Sequence, residues 1–559
     1  MNTKLQFRIL YRQFLFRLMD VELLSASARG DSSQLFGQFG ALLIAVSVGL
    51  TWMAIMYGGL KMRPETLAAS AWHYERDWVT LTLLVVGLFV VLSWDSTFLD
   101  RRDVLVLAPL PVRGRTMFAA KIAAVASALG LVVAALHCLS GFAWPMALAP
   151  PGSGIVGTIR FVAAFWITML ASGAFLYCAV LGVQGVAAQL PRRWYLRVSS
   201  FLQIAAFILF LGVVCLQPSF ATAKALGAAE NQRMLARLPS YWFMGLLSEL
   251  SGAFPAQAHG LMAPLARRAL VGLATAILVA AGAFLLSYFR TLRKIVEEPD
   301  IVPGSRGGVW LPRFGNSQQT ALVQFTIRTL VRSRQHRLIL SFYLGIASAL
   351  VAVSMKMPGA RTFFGMLASS VLMLGAWVLG TRVVFSLPLD LRANWVFRVT
   401  PVRGGAGCLS ATRRALLTLS VLPVWVGCAV LFLWEGPWPA AAEHLLLFGL
   451  LGSILADLSM RGFRKIPFTC SYLPGKSKVH MVVWPCMWLL VIAIPKCVEL
   501  ELRAMADPLS YWVMAVILGG AAVAAHWLAT RSANRNAPEI QYEESPSDAV
   551  IVLSLEGPA

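Results

Sequence analysis

The chain has 559 residues, of which 58% are hydrophobic and only 13% charged, and its mean hydropathy is +0.70. Soluble domains carry about 25% charged residues, so this composition excludes a soluble globular class. The net charge of +22 does not indicate a nucleic-acid partner, because the basic residues gather in alternate loops between apolar runs, the distribution expected of cytoplasmic loops.

Apolar runs of about 20 residues, enough to cross a ~30 Å hydrocarbon core, recur along the whole chain. They predict an all-α, polytopic transmembrane bundle of about 12 spans. The opening stretch MNTKLQFRILYRQFLFR lacks the apolar core and small-residue site of a cleaved signal peptide. Residues 5–24 mix Arg8, Arg12 and Arg17 with Phe7, Leu10, Phe14, Leu15 and Leu18, a basic amphipathic pattern suited to the interface before the first span. Six spans then centre near Ile44, Val86, Leu131, Leu170, Ile208 and Ile277. Residues 321–331, with Val323, Ile327, Leu330 and Val331 at helical spacing, precede a second set near Ile346, Met373, Val421, Phe448, Leu489 and Val516. The organisation read from this is a first half at 1–295, a second at 296–535 and an acidic cytoplasmic tail at 536–559. Both termini are expected to face the cytoplasm. Two loops fit that topology badly: the first, with Lys61, Arg63 and Arg76, and the long fifth, with Lys224, Arg233, Arg237, Arg267 and Arg268.

The loop after the second span reads LDRRDVLVLAPLPVRG at 99–114, and the corresponding loop of the second half reads LDLRANWVFRVTPVRG at 389–404. Shifted by 290 positions without a gap, eight of the sixteen residues are identical, including Asp100 with Asp390, Arg102 with Arg392, Pro111 with Pro401 and Arg113 with Arg403. A second echo pairs Ser240, Tyr241 and Trp242 with Ser510, Tyr511 and Trp512, both expected on the outer side before the sixth span of a half. Such an echo is the signature of two parallel six-span repeats related by an axis along the membrane normal.

Few residues carry recognisable chemistry. The eight cysteines form no CxxC, and Cys138, Cys178, Cys215, Cys428 and Cys486 lie within apolar runs, where packing is their expected role. Gly475-Lys476-Ser477 lacks the glycine that a phosphate loop needs at position 470, which is Cys470, and Pro474 interrupts it. The seven histidines show no metal-ligand spacing. No catalytic, cofactor or metal set is predicted. His137, Gln203 and His526 fall inside predicted spans, where polar groups are costly and mark function by default. A neutral histidine bonded between helices is the structural alternative.

The segment DRRDVLVLAPLPVRGRTMFAAK, with an acidic-basic start, PLPV, and Lys121 opening the next span, resembles the cytoplasmic loop of ABC-2-type transporter permeases. That resemblance implies six spans per half, an interfacial helix before each set and a partly inserted outer segment between the fifth and sixth spans. It also implies that Asp100, Arg101, Arg102, Pro111 and Arg113, with Asp390, Arg392, Pro401 and Arg403, couple to a separate nucleotide-binding ATPase. Two copies of that ATPase, carrying the ATP and magnesium, would be the partners beside membrane lipid. Ser240–Trp242 and Ser510–Trp512 would belong to the outer segments. The expected place is the cell's inner (plasma) membrane and the expected role an exporter subunit, not an enzyme. The second loop departs where Arg101, Asp103 and Pro109 become Leu391, Ala393 and Val399, which puts equal coupling by the two halves in question. The competing reading is a major-facilitator-like carrier driven by an ion gradient, whose loop motif is more compact. A membrane-embedded enzyme ranks third.

Overall fold

The computed structural model describes residues 3–19, 32–58, 64–97, 110–149, 154–218, 220, 222–252, 256–297, 312–354, 363–389, 395–399, 405–435, 437–461, 463, 465–469 and 493–535. Among them every regular element is helical, and the chain divides into two compact units, Met1–Gly307 and Gly308–Ala559.

The first unit runs through α1 (Thr3–Met19), α2 (Ser32–Gly58), α3 (Pro64–Leu92), the single turn α4 (Trp94–Thr97), α5 (Gly114–His137) and α6 (Ser140–Leu148). It continues through α7 (Gly154–Ala187), α8 (Arg192–Leu216), the short α9 (Ala223–Gly227) and α10 (Ala229–Leu235), α11 (Pro239–Ser251) and α12 (Ala256–Glu297). The second unit holds α13 (Ser317–Arg332), α14 (Arg334–Ser354), α15 (Phe363–Phe385), α16 (Trp395–Val399) and α17 (Gly405–Leu416). A π-helical turn, Leu417–Val421, joins α17 to α18 (Leu422–Glu435), and α19 (Trp438–Ser459), α20 (493–505) and α21 (Pro508–Arg535) complete it.

Ten described helices are long and apolar enough to cross a bilayer, so the chain is a multi-pass helical membrane protein. Two of the twelve expected spans are not among them. The one near Leu489 lies outside the described residues. The one near Val86 is α3, whose middle carries Glu75, Arg76 and Asp77, so its apolar run is confined to 78–92. α3 is nevertheless well covered, with no exposed residue between 71 and 92: Val79, Val86 and Val90 are wholly buried where α7, α8 and α11 pack on it.

The outer surface is the reverse of a soluble protein's. Leu42, Val48, Trp52 and Ile55 of α2, and Leu509, Val516, Ile517 and Val523 of α21, are all exposed, and apolar area of this extent needs hydrocarbon, not water, against it. Inside, helices approach closely over glycine, as membrane interfaces favour. A Cβ on Gly185 of α7 would lie 2.6 Å from the Ala283 Cβ of α12, and one on Gly245 of α11 would lie 2.6 Å from the Leu265 Cβ.

In each unit a helix ahead of the first long helix lies against the helix that follows the PVRG loop. α1 packs on α5 through Leu10, Phe14 and Leu18, spaced one turn apart, while Arg8 and Arg12 stay exposed. α13 begins at an Asn316 capping box with Gln319 and packs on α17 with Leu322, Val323 and Leu330 buried.

Candidate functional site

Each unit has a loop end, where the PVRG loop lies, and an opposite end. Of the expected coupling residues, Asp100, Arg101, Arg102, Asp390, Arg392, Pro401 and Arg403 lie outside the described residues. Pro111 and Arg113 close the first loop. The Gln6 amide of α1 donates to the Pro111 carbonyl at 3.4 Å, and the Arg113 carbonyl accepts from Thr116 and Met117, opening α5 with the Arg113 side chain exposed. The loop therefore ends where α1 and α5 meet. Just behind it, buried Lys121 of α5 sits with Nζ 4.8 Å from the centre of the Phe14 ring of α1, and Tyr11 donates to Ser127 at 3.0 Å.

The start of the second loop is fixed differently. The Leu389 amide donates to the Phe468 carbonyl at 3.0 Å, and the Phe468 amide donates to the Phe385 carbonyl at 3.1 Å. Phe468 has φ 66°, the left-handed region that bulky residues avoid. Its ring gathers Phe385 of α15 (5.7 Å), Phe325 of α13 (6.4 Å) and His336 of α14 (4.8 Å), and Phe325 in turn meets Phe397 of α16 at 5.2 Å. One aromatic cluster thus joins the short helix inside the loop to α13 and to two long helices. Val396 and Val399 of α16 remain exposed. Arg382, over the Phe463 ring at 4.5 Å and donating to the Ser459 carbonyl at 2.8 Å, closes the same end.

At the opposite end of the first unit, Ser240, Tyr241 and Trp242 open α11 and tie it down. The buried Tyr241 hydroxyl donates to the Pro218 carbonyl at 2.7 Å and accepts from the Phe220 amide at 2.9 Å and from Arg76 at 3.3 Å. Ser240 donates to the Gln217 side chain, which itself donates to Thr80 of α3, and the Trp242 indole donates to the Leu235 carbonyl. At the other end of α11, Gly252 takes φ 63° and Arg160 of α7 donates to the Leu250 carbonyl at 2.8 Å. Ser248 donates to the buried Glu75 carboxyl at 3.3 Å.

Ser510, Tyr511 and Trp512 are placed differently from their sequence echo. They lie in the first turn of the long helix α21, behind the cap Asp507 and Pro508 at its first position. Tyr511 donates to the Glu443 carbonyl at 3.1 Å, and Trp512 is exposed. The element that precedes this final helix, as α11 precedes α12, is α20. It is held by Glu501, whose Oε1 lies 2.6 Å from Nδ1 of His444 on α19, and the other ring nitrogen of His444 meets Ser370 Oγ of α15 at 3.0 Å.

Of the three polar groups expected inside spans, two are interhelical fasteners. His137 is fully buried, with Nε2 at 2.8 Å from Thr82 and Nδ1 at 3.3 Å from Ser140. Both ring nitrogens thus have hydroxyl partners that can donate or accept, so the ring is satisfied while neutral. Gln203 donates to the Val91 carbonyl of α3 at 2.6 Å. His526 is half exposed, with Nδ1 3.5 Å from Asp457. Asp457 is itself buried and held in a two-pronged pair by Arg413, which also donates to Ser453. Neither His444, nor Glu501 as its partner, nor Glu75 was singled out from sequence. The available signal was Glu501 on the stripe Ile494, Val498, Glu501, Met505, an acid among apolar residues at helical spacing.

Among the described residues no group of His, Cys, Asp or Glu could hold a metal ion. No protein-family model, no curated protein and no solved structure matches the chain.

Proposed function

We propose that the chain is the transmembrane permease of an ABC-2-like exporter in the plasma (inner) membrane, two six-span halves driven by a separate ATPase. The observation that carries this reading is the seating of α1 on α5 and of α13 on α17. In each unit a helix ahead of the first span bears on the helix that continues from the PVRG loop, so displacement of the loop moves both together. The Gln6–Pro111 hydrogen bond and the Phe397–Phe325–Phe468 contacts supply the local linkage. Closure of an ATPase pair against these loops is then transmitted to the spans, and substrate passes between them. ATP and magnesium belong to the partner subunits, and lipid covers the exposed faces of α2, α12 and α21. The second loop, lacking Arg101 and Asp103 equivalents, docks while the first drives.

Affinity capture of the chain from native membranes tests this directly. A stoichiometric ATPase is expected to co-purify and to be lost when Arg102→Glu and Arg392→Glu are combined, since reversed charge in docking loops opposes association. Substrate movement driven by an ion gradient, with no ATPase recovered, would overturn the reading in favour of a secondary carrier.

A further inference from the structure

Five cations gather at the opposite end of the first unit, the end that basic residues are expected to avoid. Lys224, Arg233, Arg237, Arg267 and Arg268 are all exposed, and among the described residues none of their side chains has a hydrogen-bond or ion-pair partner. Residues 222–272 set only two acids against them, Glu230 and Glu249. α12 fixes their depth. Residues 269–289 carry no charge, and at the α-helical rise they span about 32 Å, the thickness of a hydrocarbon core. Arg267 and Arg268 therefore stand at headgroup level, beside the exposed Leu270 and Val271. Trp242 brings the end of α10 to the same level. Its indole donates to the Leu235 carbonyl at 3.0 Å, and a Cβ on Gly272 would lie 3.1 Å from its ring. Arg237 follows the first of these contacts by two residues, and Arg268 precedes the second by one helical turn. The two arginines thus flank one partly buried indole.

We propose that Arg237 and Arg268, on either side of Trp242, bind the headgroup phosphate of an anionic phospholipid. Lys224, Arg233 and Arg267 supply the positive field that selects an anionic headgroup over a zwitterionic one. The planar guanidinium fork matches two oxygens of a phosphate. An indole at the membrane boundary offers a polar edge to the headgroup and an apolar body to the chains, and arginine stems lie readily along hydrocarbon. The position calls for a lipid and not a dissolved anion, because the cations border exposed apolar residues that acyl chains cover. A bound headgroup joins the end of α10 to α12 across the first turn of α11, and so adds a tether to those that already hold α11.

The site is independent of what drives transport, and its failure leaves the ATPase capture unaffected. The test is hydrogen–deuterium exchange of the full chain in nanodiscs of phosphatidylcholine alone and of phosphatidylcholine doped with phosphatidylglycerol. Amides of α10 and of the first turn of α11 are expected to exchange more slowly in the doped discs, by about fivefold for each cation engaged. α20, whose Lys496 and Arg503 are already paired with Glu499, is expected to stay level. Glycerol phosphate added to the phosphatidylcholine discs is expected to change nothing, and slowing by it would overturn a lipid as the occupant. In the double variant Arg237→Gln, Arg268→Gln the difference between the two kinds of disc is expected to vanish, with exchange in phosphatidylcholine unchanged. No difference in the wild-type chain, equal slowing in α20, or a difference retained in the double variant would each overturn the site. The wild-type comparison decides the matter even if the variant does not fold.

Discussion

α11 and α20 occupy the same place in their units, each a short helix ahead of the final long one, yet they are fastened by different chemistry. α11 is tied along its whole length by the Tyr241 hydroxyl, the Ser240–Gln217–Thr80 chain, Arg160 at its C-terminus and a close fit of Gly245 on α12. Among the described residues, the polar contact that joins α20 to α19 is one buried pair, His444 and Glu501, beside the apolar contacts of Ile494, Val498, Ala504 and Met505. The loop ends differ too. Both units seat a preceding helix on the one that follows the loop, α1 on α5 and α13 on α17, and the described contacts then differ in place: the end of the first loop meets α1, while the start of the second is held by an aromatic cluster around Phe468. Two units with a shared loop motif thus differ in how the helix before their last span is fastened: by polar tethers distributed along α11, and at α20 by a buried imidazole–carboxylate contact.

The comparison breaks most sharply at Gly245. In Gly245→Ala the new Cβ would stand 2.6 Å from the Leu265 Cβ and 2.9 Å from the Met262 carbonyl oxygen. Backbone must move, at a cost of about 3 kcal/mol. The loss is expected in exchange protection of α11 and α12, with α20 unchanged. The two Ser-Tyr-Trp triplets give a finer contrast. Tyr241→Phe strands the Pro218 carbonyl and the Phe220 amide together and is expected to cost about 2 kcal/mol, whereas Tyr511→Phe removes one bond to the Glu443 carbonyl and costs about 1 kcal/mol. Equal losses in thermal unfolding would mean that the triplets do the same work after all. The smallest effect belongs to the α21 cap. Hydrogen bonds from the Ser510 hydroxyl and amide hold the Asp507 carboxyl below its ordinary pKa. A depressed carboxyl contributes stability that is present above its ordinary pKa and lost as pH falls through the lowered one. Ser510→Ala is expected to bring fraying of the first turn of α21 on at higher pH, read by exchange of its first amides.

Much of the architecture is legible in the sequence because its signals are contiguous. Apolar length marks the spans, and the PVRG loops announce themselves within sixteen residues. The fastening residues are harder to see because their meaning is shared between distant segments. His444 and Glu501 stand 57 positions apart, and Glu501 reads as one more acid in a mixed-charge stretch until α20 turns it inward. The Ser-Tyr-Trp echo fails for the opposite reason. The triplet is local, but its role depends on what precedes it: Pro239 starts an independent short helix, and Asp507-Pro508 starts a long one. His137 drew notice as an ionisable group within a span, and its neutral hydroxyl partners make it a fastener.

The π-helical turn at Leu417–Val421 fixes the rotational phase of the third span in the second unit. A π turn adds a residue to the helical count, and one residue corresponds to about 100° of rotation. The side chains of α17 and those of α18 therefore follow two different angular registers along one continuous rod. Arg413 faces Asp457 in the first register, and Trp425 donates to the Leu445 carbonyl in the second. Removing a single residue from 417–421 would merge the registers, and the span could then satisfy one of those partnerships only by forfeiting the other.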